Sequence, residues 1–531
     1  MSTRMISLLT CAIILVTACG QQAAQQQPLH PGPITAGEHT RVNTLYGIVE
    51  GYLDDDVYTF KGIQYAKAER FMPPQAPDKF EGVRMCKLYG PKAMQGQNLE
   101  WRDNTQTDYY FGNQFIYEPM SENCLVLNVW TKGLSDGKKR PVFVWIHGGG
   151  FSSGSGHDLA CYEGRSLADK GDIVTITINH RLNVLGYMDL SFLGGKYAQS
   201  VNLGMQDIVK ALEWVRDNIE KFGGDSNCVT IGGQSGGGGK VSNVMAMPSA
   251  KGLFHRAIVQ SGSGLRSGDA EYSKKLGQAV LDELGVNPAQ AEDKLASFTY
   301  DELVAAGSRA SRKIATVGMR GGFGPVMDRN IIAEHPFDPE ATSISKDVPM
   351  LIGTNFNEMQ FDISPEKSLD EVKAALTDRL GEEKAVRFID EFQKAYPSEE
   401  PKAMLYFDTR SRSNASRQAA AKSRQGTKSF LYLFTWKPEN NVLGASHGME
   451  LPFMFNNVAV QREMTGSSES AYKLQEIVSD YWLAFIKSGD PNVNGRPMWE
   501  PYTEKTGACM LINNICETKH NHDKALIELT L

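Results

Sequence analysis

The clearest chemistry in the chain lies at Ser235. Val229-Thr-Ile-Gly-Gly-Gln-Ser-Gly-Gly237 runs β-branched residues into Gly233-x-Ser235-x-Gly237 and then into a possible helix. A strand that turns this sharply into a helix strains the backbone of the central serine. Glycines two residues to either side remove Cβ atoms that would collide in the turn. Standing at a helix N-terminus, where developing negative charge is favoured, the Ser235 hydroxyl is a candidate nucleophile. The motif alone also fits a plain glycine turn, and it is the preceding strand that favours the nucleophile. The glycines invite a phosphate-loop reading that closes on Gly239-Lys240, but Gln234 stands where that loop needs its first glycine and Val241 where it needs serine or threonine.

Upstream, a strand ending at Ile146 runs into His147-Gly148-Gly149-Gly150-Phe151. Such a loop can turn successive backbone N–H groups toward one point, as acyl transfer requires for the oxyanion of its tetrahedral intermediate. A serine nucleophile and an oxyanion loop still need a base and an acid. The chain holds ten histidines and 62 carboxylates, and residue type alone does not select among them.

The elements that must position these groups follow from periodicity. Pro141 to Ile146, Asp172 to Ile178 and Cys228 to Ile231 are near-continuous apolar runs, the pattern of parallel strands covered on both faces. Between the second and third, Ile208, Leu212, Val215 and Ile219 fall at helical spacing, so strand, helix and strand form a right-handed crossover. Thr40 to Phe60 reads as short strands and tight turns. From about residue 270 to 426 the pattern is mostly helical, with Ser273 to Leu284, Leu369 to Leu380, Glu383 to Tyr396 and Ser411 to Arg424 as helices. Pro349 to Ile352 and Ser429 to Phe434 read as further sheet strands, and Ser470 to Lys487 as a closing helix. The expected fold class is α/β, a mostly parallel central sheet flanked by helices, with an inserted helical region beside the site.

Phe222-Gly-Gly-Asp-Ser-Asn-Cys-Val-Thr-Ile-Gly-Gly-Gln-Ser-Gly-Gly237 resembles the serine signature of type-B carboxylesterases, the family that includes cholinesterases. The likeness extends along the chain through Gly62-Ile-Gln-Tyr-Ala66, Arg70-Phe71, Ser121-Glu-Asn-Cys-Leu-Val-Leu-Asn128, Asn179-His-Arg-Leu182, Gly252-Leu-Phe-His-Arg-Ala257, Gln260-Ser-Gly262 and Ser488-Gly-Asp-Pro-Asn492. It implies the α/β-hydrolase fold and carboxylic ester hydrolysis through an acyl-enzyme. Leu351-Ile-Gly-Thr-Asn-Phe-Asn-Glu-Met359 is similar to the segment carrying the family's acid and selects Glu358. His447-Gly-Met-Glu450 is similar to the segment carrying its histidine and selects His447. The resemblance also implies oxyanion donors at Gly149, Gly150 and Gly236, with Ser261 and Glu450 supporting His447.

Two positions depart from the family pattern: Gln234 replaces the usual glutamate, and Gly236 the usual alanine. The family's first disulfide partner would fall near Ala93, which leaves Cys124 to pair elsewhere, with Cys86 as one candidate; Cys509 with Cys516 is another open pairing. Two competing readings are a relative that has lost its triad and serves in binding or adhesion, and a lipase. The presence of Ser235, Glu358 and His447 argues against the first, and the lack of an amphipathic lid pattern against the second.

Composition sets the outer bounds. The chain has 531 residues, 41% of them apolar and 22% charged, with a formal charge of −7. That is globular and mildly acidic, without a basic footprint for nucleic acid. No CxxC, Cys/His cluster or HExxH indicates a metal or other cofactor. Residues 1–18 carry Arg4, an apolar stretch and small residues before Cys19, as an export signal does. Val16-Thr-Ala-Cys19 resembles the bacterial lipoprotein signal, which implies a lipid at Cys19 and a membrane-anchored protein facing the periplasm or cell surface. Ordinary cleavage after Ala18 would instead release a secreted protein. Residues 19–37 read as a flexible tether and 38–531 as the enzyme domain. An even set of six cysteines, Cys86, Cys124, Cys161, Cys228, Cys509 and Cys516, suits an oxidising compartment. Asn98 to Pro119, rich in Trp, Tyr and Phe, fits a gorge wall or a packed surface loop equally.

Overall fold

The computed structural model describes residues 33–96, 118–315, 321–358, 366–439 and 444–530. The segment read as an export signal, Cys19, most of the stretch read as a tether and nearly all of the aromatic stretch from Asn98 lie outside the described residues.

A sheet of twelve strands forms the centre. Seven run parallel, in the spatial order Val174–Ile178, Arg140–Ile146, Gly224–Gln234, Arg256–Gln260, Met350–Asn355, Ser429–Phe434 and Ala508–Ile512. Both faces of these strands are covered, and Val174–Ile178, Met350–Asn355 and Ser429–Phe434 are buried at every residue. This is why their sequences are continuous apolar runs rather than alternating ones. Antiparallel strands flank the parallel block. Val126–Thr131, Val57–Gln64, Tyr52–Asp54 and Ile34–Thr35 extend it on one side, and Glu517–His520 closes the other.

The helix Leu203–Asn218 buries Ile208, Leu212 and Val215. Its crossover leads from Val174–Ile178 to Gly224–Gln234, and those strands are not neighbours, because Arg140–Ile146 lies hydrogen-bonded between them. Local periodicity specifies that two strands are parallel but not which third strand enters between them.

Helix limits differ from the sequence expectation by a few residues, and side-chain caps account for the differences. Asp269 accepts from the Tyr272 N–H at 2.7 Å, so that helix spans Ala270–Glu283. Asp408 accepts from the Ser411 N–H at 2.8 Å and starts Thr409–Arg424. Ser468 accepts from the Ala471 N–H at 3.2 Å and starts Glu469–Ser488. Each cap satisfies a backbone donor that the first helical turn leaves without a partner. Leu369–Leu380 has the limits read from its pattern, Glu382–Ala395 lies within one residue of them, and Tyr300–Ala315 adds a helix that had not been singled out.

All six cysteines in the described residues are free thiols. Neither Cys86 with Cys124 nor Cys509 with Cys516 forms a disulfide. In the second case the strand register gives the reason. Cys509 lies opposite Lys519, three residues beyond Cys516. At about 3.3 Å per residue the offset is roughly 10 Å, past the ~7 Å limit for bridging.

The Asn179-His-Arg-Leu182 motif has a structural role. Arg181 forms a bidentate pair with the fully buried Asp207, at 2.6 and 2.9 Å, and its backbone N–H donates to the same carboxylate at 3.0 Å. The third guanidinium nitrogen donates to the Met72 carbonyl at 2.7 Å, so the pair ties the N-terminal loops to the helix Leu203–Asn218.

Candidate active site

The parallel strands end on one side of the sheet, and the candidate residues follow those ends. Ser235 terminates the strand Gly224–Gln234 and precedes the helix Gly236–Val244. Its backbone has φ 58° and ψ −127°, a conformation that costs a side-chain-bearing residue on the order of 1–3 kcal/mol. The surroundings impose it: the Ser235 N–H donates to Gln260 O at 2.8 Å, which pins the turn to the next strand. Glycine is required at 237, where a Cβ would lie 2.1 Å from Ile146 O. Four consecutive glycines, Gly236 to Gly239, open the helix that carries the turn.

Glu358 lies just beyond the strand Met350–Asn355, two strands from Ser235, or roughly 10 Å at the usual strand spacing. His447 comes from a distant loop that joins this edge through a parallel bridge between Glu358 and Ser446. The His447 N–H donates to Glu358 O at 2.9 Å, and His447 Nδ1 donates to Glu358 Oε2 in a short hydrogen bond. The Asn355 N–H holds the other carboxylate oxygen at 2.8 Å. Burial alone would lower the imidazole pKa, but the Glu358 carboxylate outweighs it through charge and hydrogen bond, and the net shift is upward.

Glu450 is buried behind this pair. It accepts from Gln260 Nε2 at 3.0 Å and Asn355 Nδ2 at 2.6 Å, and Gln260 Oε1 accepts in turn from Trp482 Nε1 at 3.1 Å. Burial, followed by the nearby Glu358 charge, raises the Glu450 pKa. Glu450 therefore braces the loop that carries His447 without bonding the ring. Ser261 donates its backbone N–H to Gly353 O at 2.8 Å, while its hydroxyl has no hydrogen-bond partner among the described residues. Asn355 and Gln260, which lie within quoted motifs but were given no role of their own, orient Glu358 and Glu450. Their positions at the ends of sheet strands beside the elbow were the available signal.

Gly149 and Gly150 are exposed at the mouth of the site, with φ of 77° and 61°. Glycine adopts these values freely. Among the described residues, none accepts a hydrogen bond from the backbone N–H of Gly149, Gly150 or Gly236. The glycine at 236 has a steric cause. A Cβ there would lie 2.1 Å from the Gly150 carbonyl oxygen, so this loop approaches the elbow too closely for the family's alanine. Gln234 is buried beside the elbow, and its Nε2 has no partner among the described residues. Among the described residues, no cluster of His, Cys, Asp or Glu could hold a metal ion.

Residues 38–528 match the model of the carboxylesterase family. The chain belongs to that family. It is 32% identical over 486 residues to the para-nitrobenzyl esterase of Bacillus subtilis, covering 90% of this chain and 95% of the relative. The phenmedipham hydrolase of Pseudarthrobacter oxydans is 30% identical, over 89% of this chain and 94% of its own. Among solved structures, an esterase from Clostridium hathewayi, described as able to hydrolyse aliphatic aromatic polyesters, superposes with a TM-score of 0.85. It shares 36% identity, over 94% of this chain and 99% of its own. The protein is thus a carboxylesterase of the α/β-hydrolase fold, and ester hydrolysis is its reaction class. In this carboxylesterase the candidate residues occupy the strand ends at which open α/β sheets generally bind their ligands.

Proposed function

We propose that this carboxylesterase cleaves small to medium carboxylic esters with Ser235 as nucleophile, His447 as general base and acid, and Glu358 as the orienting carboxylate. The observation that carries the reading is the hydrogen bond between His447 Nδ1 and a buried carboxylate at the same sheet edge as the strained Ser235. Nδ1 bonded to Glu358 leaves Nε2 unprotonated and free to accept the Ser235 proton. As Oγ bonds to the acyl carbon, the carbonyl oxygen gains charge within reach of the N–H groups of Gly149, Gly150 and Gly236. His447 then protonates the departing alkoxide as its bond to the acyl carbon breaks. Water repeats the sequence, giving its proton to His447 and its oxygen to the acyl carbon, and Ser235 is restored. Hydrolysis of p-nitrophenyl acetate, butyrate and octanoate, with organophosphate labelling of Ser235, tests the reading. A folded protein that neither turns over nor labels would overturn it in favour of a binding role.

The raised His447 pKa carries a sign. The base acts only when neutral, so kcat/KM falls as pH falls through the His447 pKa. Because Glu358 holds that value up, the acidic limb is expected above the ordinary imidazole midpoint of about 6.5. A profile of kcat/KM from about pH 5 to 9 checks it, and a midpoint below the ordinary value would contradict the assigned pair.

The N-terminal signal fits the same picture of an exported enzyme, with a lipid on Cys19 as its anchor. Recovery of the enzyme with membranes, and its release to the soluble fraction by Cys19→Ala, is the expected result. Release of the unsubstituted protein would favour simple secretion.

A further inference from the structure

The buried cation beside the nucleophile has no part in the mechanism above. Lys240, in the elbow helix, is fully buried, and its ammonium donates to the carbonyl oxygens of His147 at 3.0 Å and Gly148 at 3.3 Å. A buried ammonium is costly unless it is well bonded. Burial pulls its pKa down to about 7, with the Asp158 charge acting the other way. The two oxygens it holds belong to the loop that carries Gly149 and Gly150.

A trans peptide places its C=O and N–H on opposite sides. Drawing the Gly148 oxygen toward the Lys240 ammonium therefore turns the N–H of Gly149, which belongs to the same peptide, away from that ammonium. The Gly148 oxygen is held a second time, by His147 Nδ1 at 3.0 Å. That ring is itself clamped by stacking on His180, with centroids 4.7 Å apart and planes at 10°. Burial keeps both imidazoles far below their usual pKa and hence neutral. Since a carbonyl can only accept, His147 Nδ1 carries the proton. A peptide between two glycines would otherwise flip readily, because both mirror-related backbone regions are open to them.

We propose that Lys240 is a positioning residue for ester hydrolysis, holding the Gly148–Gly149 peptide so that the Gly149 N–H faces the oxyanion. This rests on the reading of the Gly149–Gly150 loop as the oxyanion hole. The close approach of the Gly150 carbonyl to Gly236 belongs to the same arrangement, in which a loop drawn onto the elbow helix leaves no room for a side chain at 236.

The test compares Lys240→Met, which keeps the volume and removes every donor, with Lys240→Gln, which restores an N–H donor without charge. An ester and its thionoester separate aiming from packing, because sulfur in place of the carbonyl oxygen accepts poorly from the hole. Lys240→Met is expected to lower kcat on the ester by roughly 10²-fold, the size of losing one oxyanion donor, with KM changed by less than about threefold. Its preference for ester over thionoester is expected to fall toward unity, and Lys240→Gln to recover part of both effects. Two results would overturn the proposal: kcat and preference unchanged in Lys240→Met, or a lowered kcat with the preference intact, which assigns Lys240 to packing. If neither variant folds, as judged by circular dichroism and Tm, Lys240 serves folding and the proposal also fails. In each of these cases the unsubstituted enzyme still turns over ester and labels at Ser235, so the esterase reading stands or falls separately.

Discussion

Ser235→Ala is expected to lower kcat on p-nitrophenyl butyrate by roughly 10⁴- to 10⁶-fold and to abolish organophosphate labelling, while the protein stays folded. The substitution deletes only the atom that bonds to the acyl carbon. It leaves the hydrogen bond from the residue 235 N–H to Gln260 O, which holds the turn, and it adds no bulk. KM is expected to change far less than kcat, because the backbone donors and the rest of the site remain. Activity surviving within about tenfold would remove Ser235 from the mechanism, and labelling at another serine would name its replacement.

Glu358→Gln is expected to lower kcat by about 10⁴-fold, as loss of the orienting carboxylate does in comparable triads. The Asn355 N–H can still donate to the side-chain oxygen of glutamine. The amide NH₂ would then face His447 Nδ1, which can bond to it only by giving up its proton. That proton moves to Nε2, and the ring can no longer accept from Ser235. The variant has a second signature. Since Glu358 is what raises the His447 pKa against burial, the acidic limb of the residual kcat/KM should move to lower pH. Glu450→Gln is the control: Glu450 bonds Gln260 and Asn355 rather than the imidazole, so its loss should cost much less. Equal losses from the two substitutions would mean that the carboxylate assignment is wrong.

How much of this was legible depends on how local each cause is. The elbow was legible because a strand, a tight turn and a helix are contiguous in sequence, and the turn itself demands glycine at 233 and 237. The parallel strands were legible because burial on both faces writes itself as an apolar run. Neither kind of signal reaches Glu358 or His447, which lie 89 residues apart and are brought into contact where the loop at Ser446 joins the strand end at Glu358. They came from family resemblance, not from spacing. Strand order was hidden for the same reason, since the insertion of Arg140–Ile146 between two strands joined by one crossover is a long-range event. Lys240 entered the sequence reading only as the lysine of a failed phosphate loop. Its position, one turn past the nucleophile in a run of glycines with no acidic neighbour in sequence, was the sign that it had to find partners elsewhere.

The four glycines at the start of the elbow helix bear on how the active site comes into being. Each glycine lowers helix stability by about 1 kcal/mol relative to alanine, so Gly236 to Gly239 leave the segment with little tendency to coil alone. It acquires its helical form only once the backbones of Ile146 and Gly262 are in place against it. The geometry of the nucleophile is therefore coupled to tertiary packing rather than to local helix propensity. Native-state hydrogen exchange is expected to show the amides of this helix exchanging together with those of the strands on both sides of it.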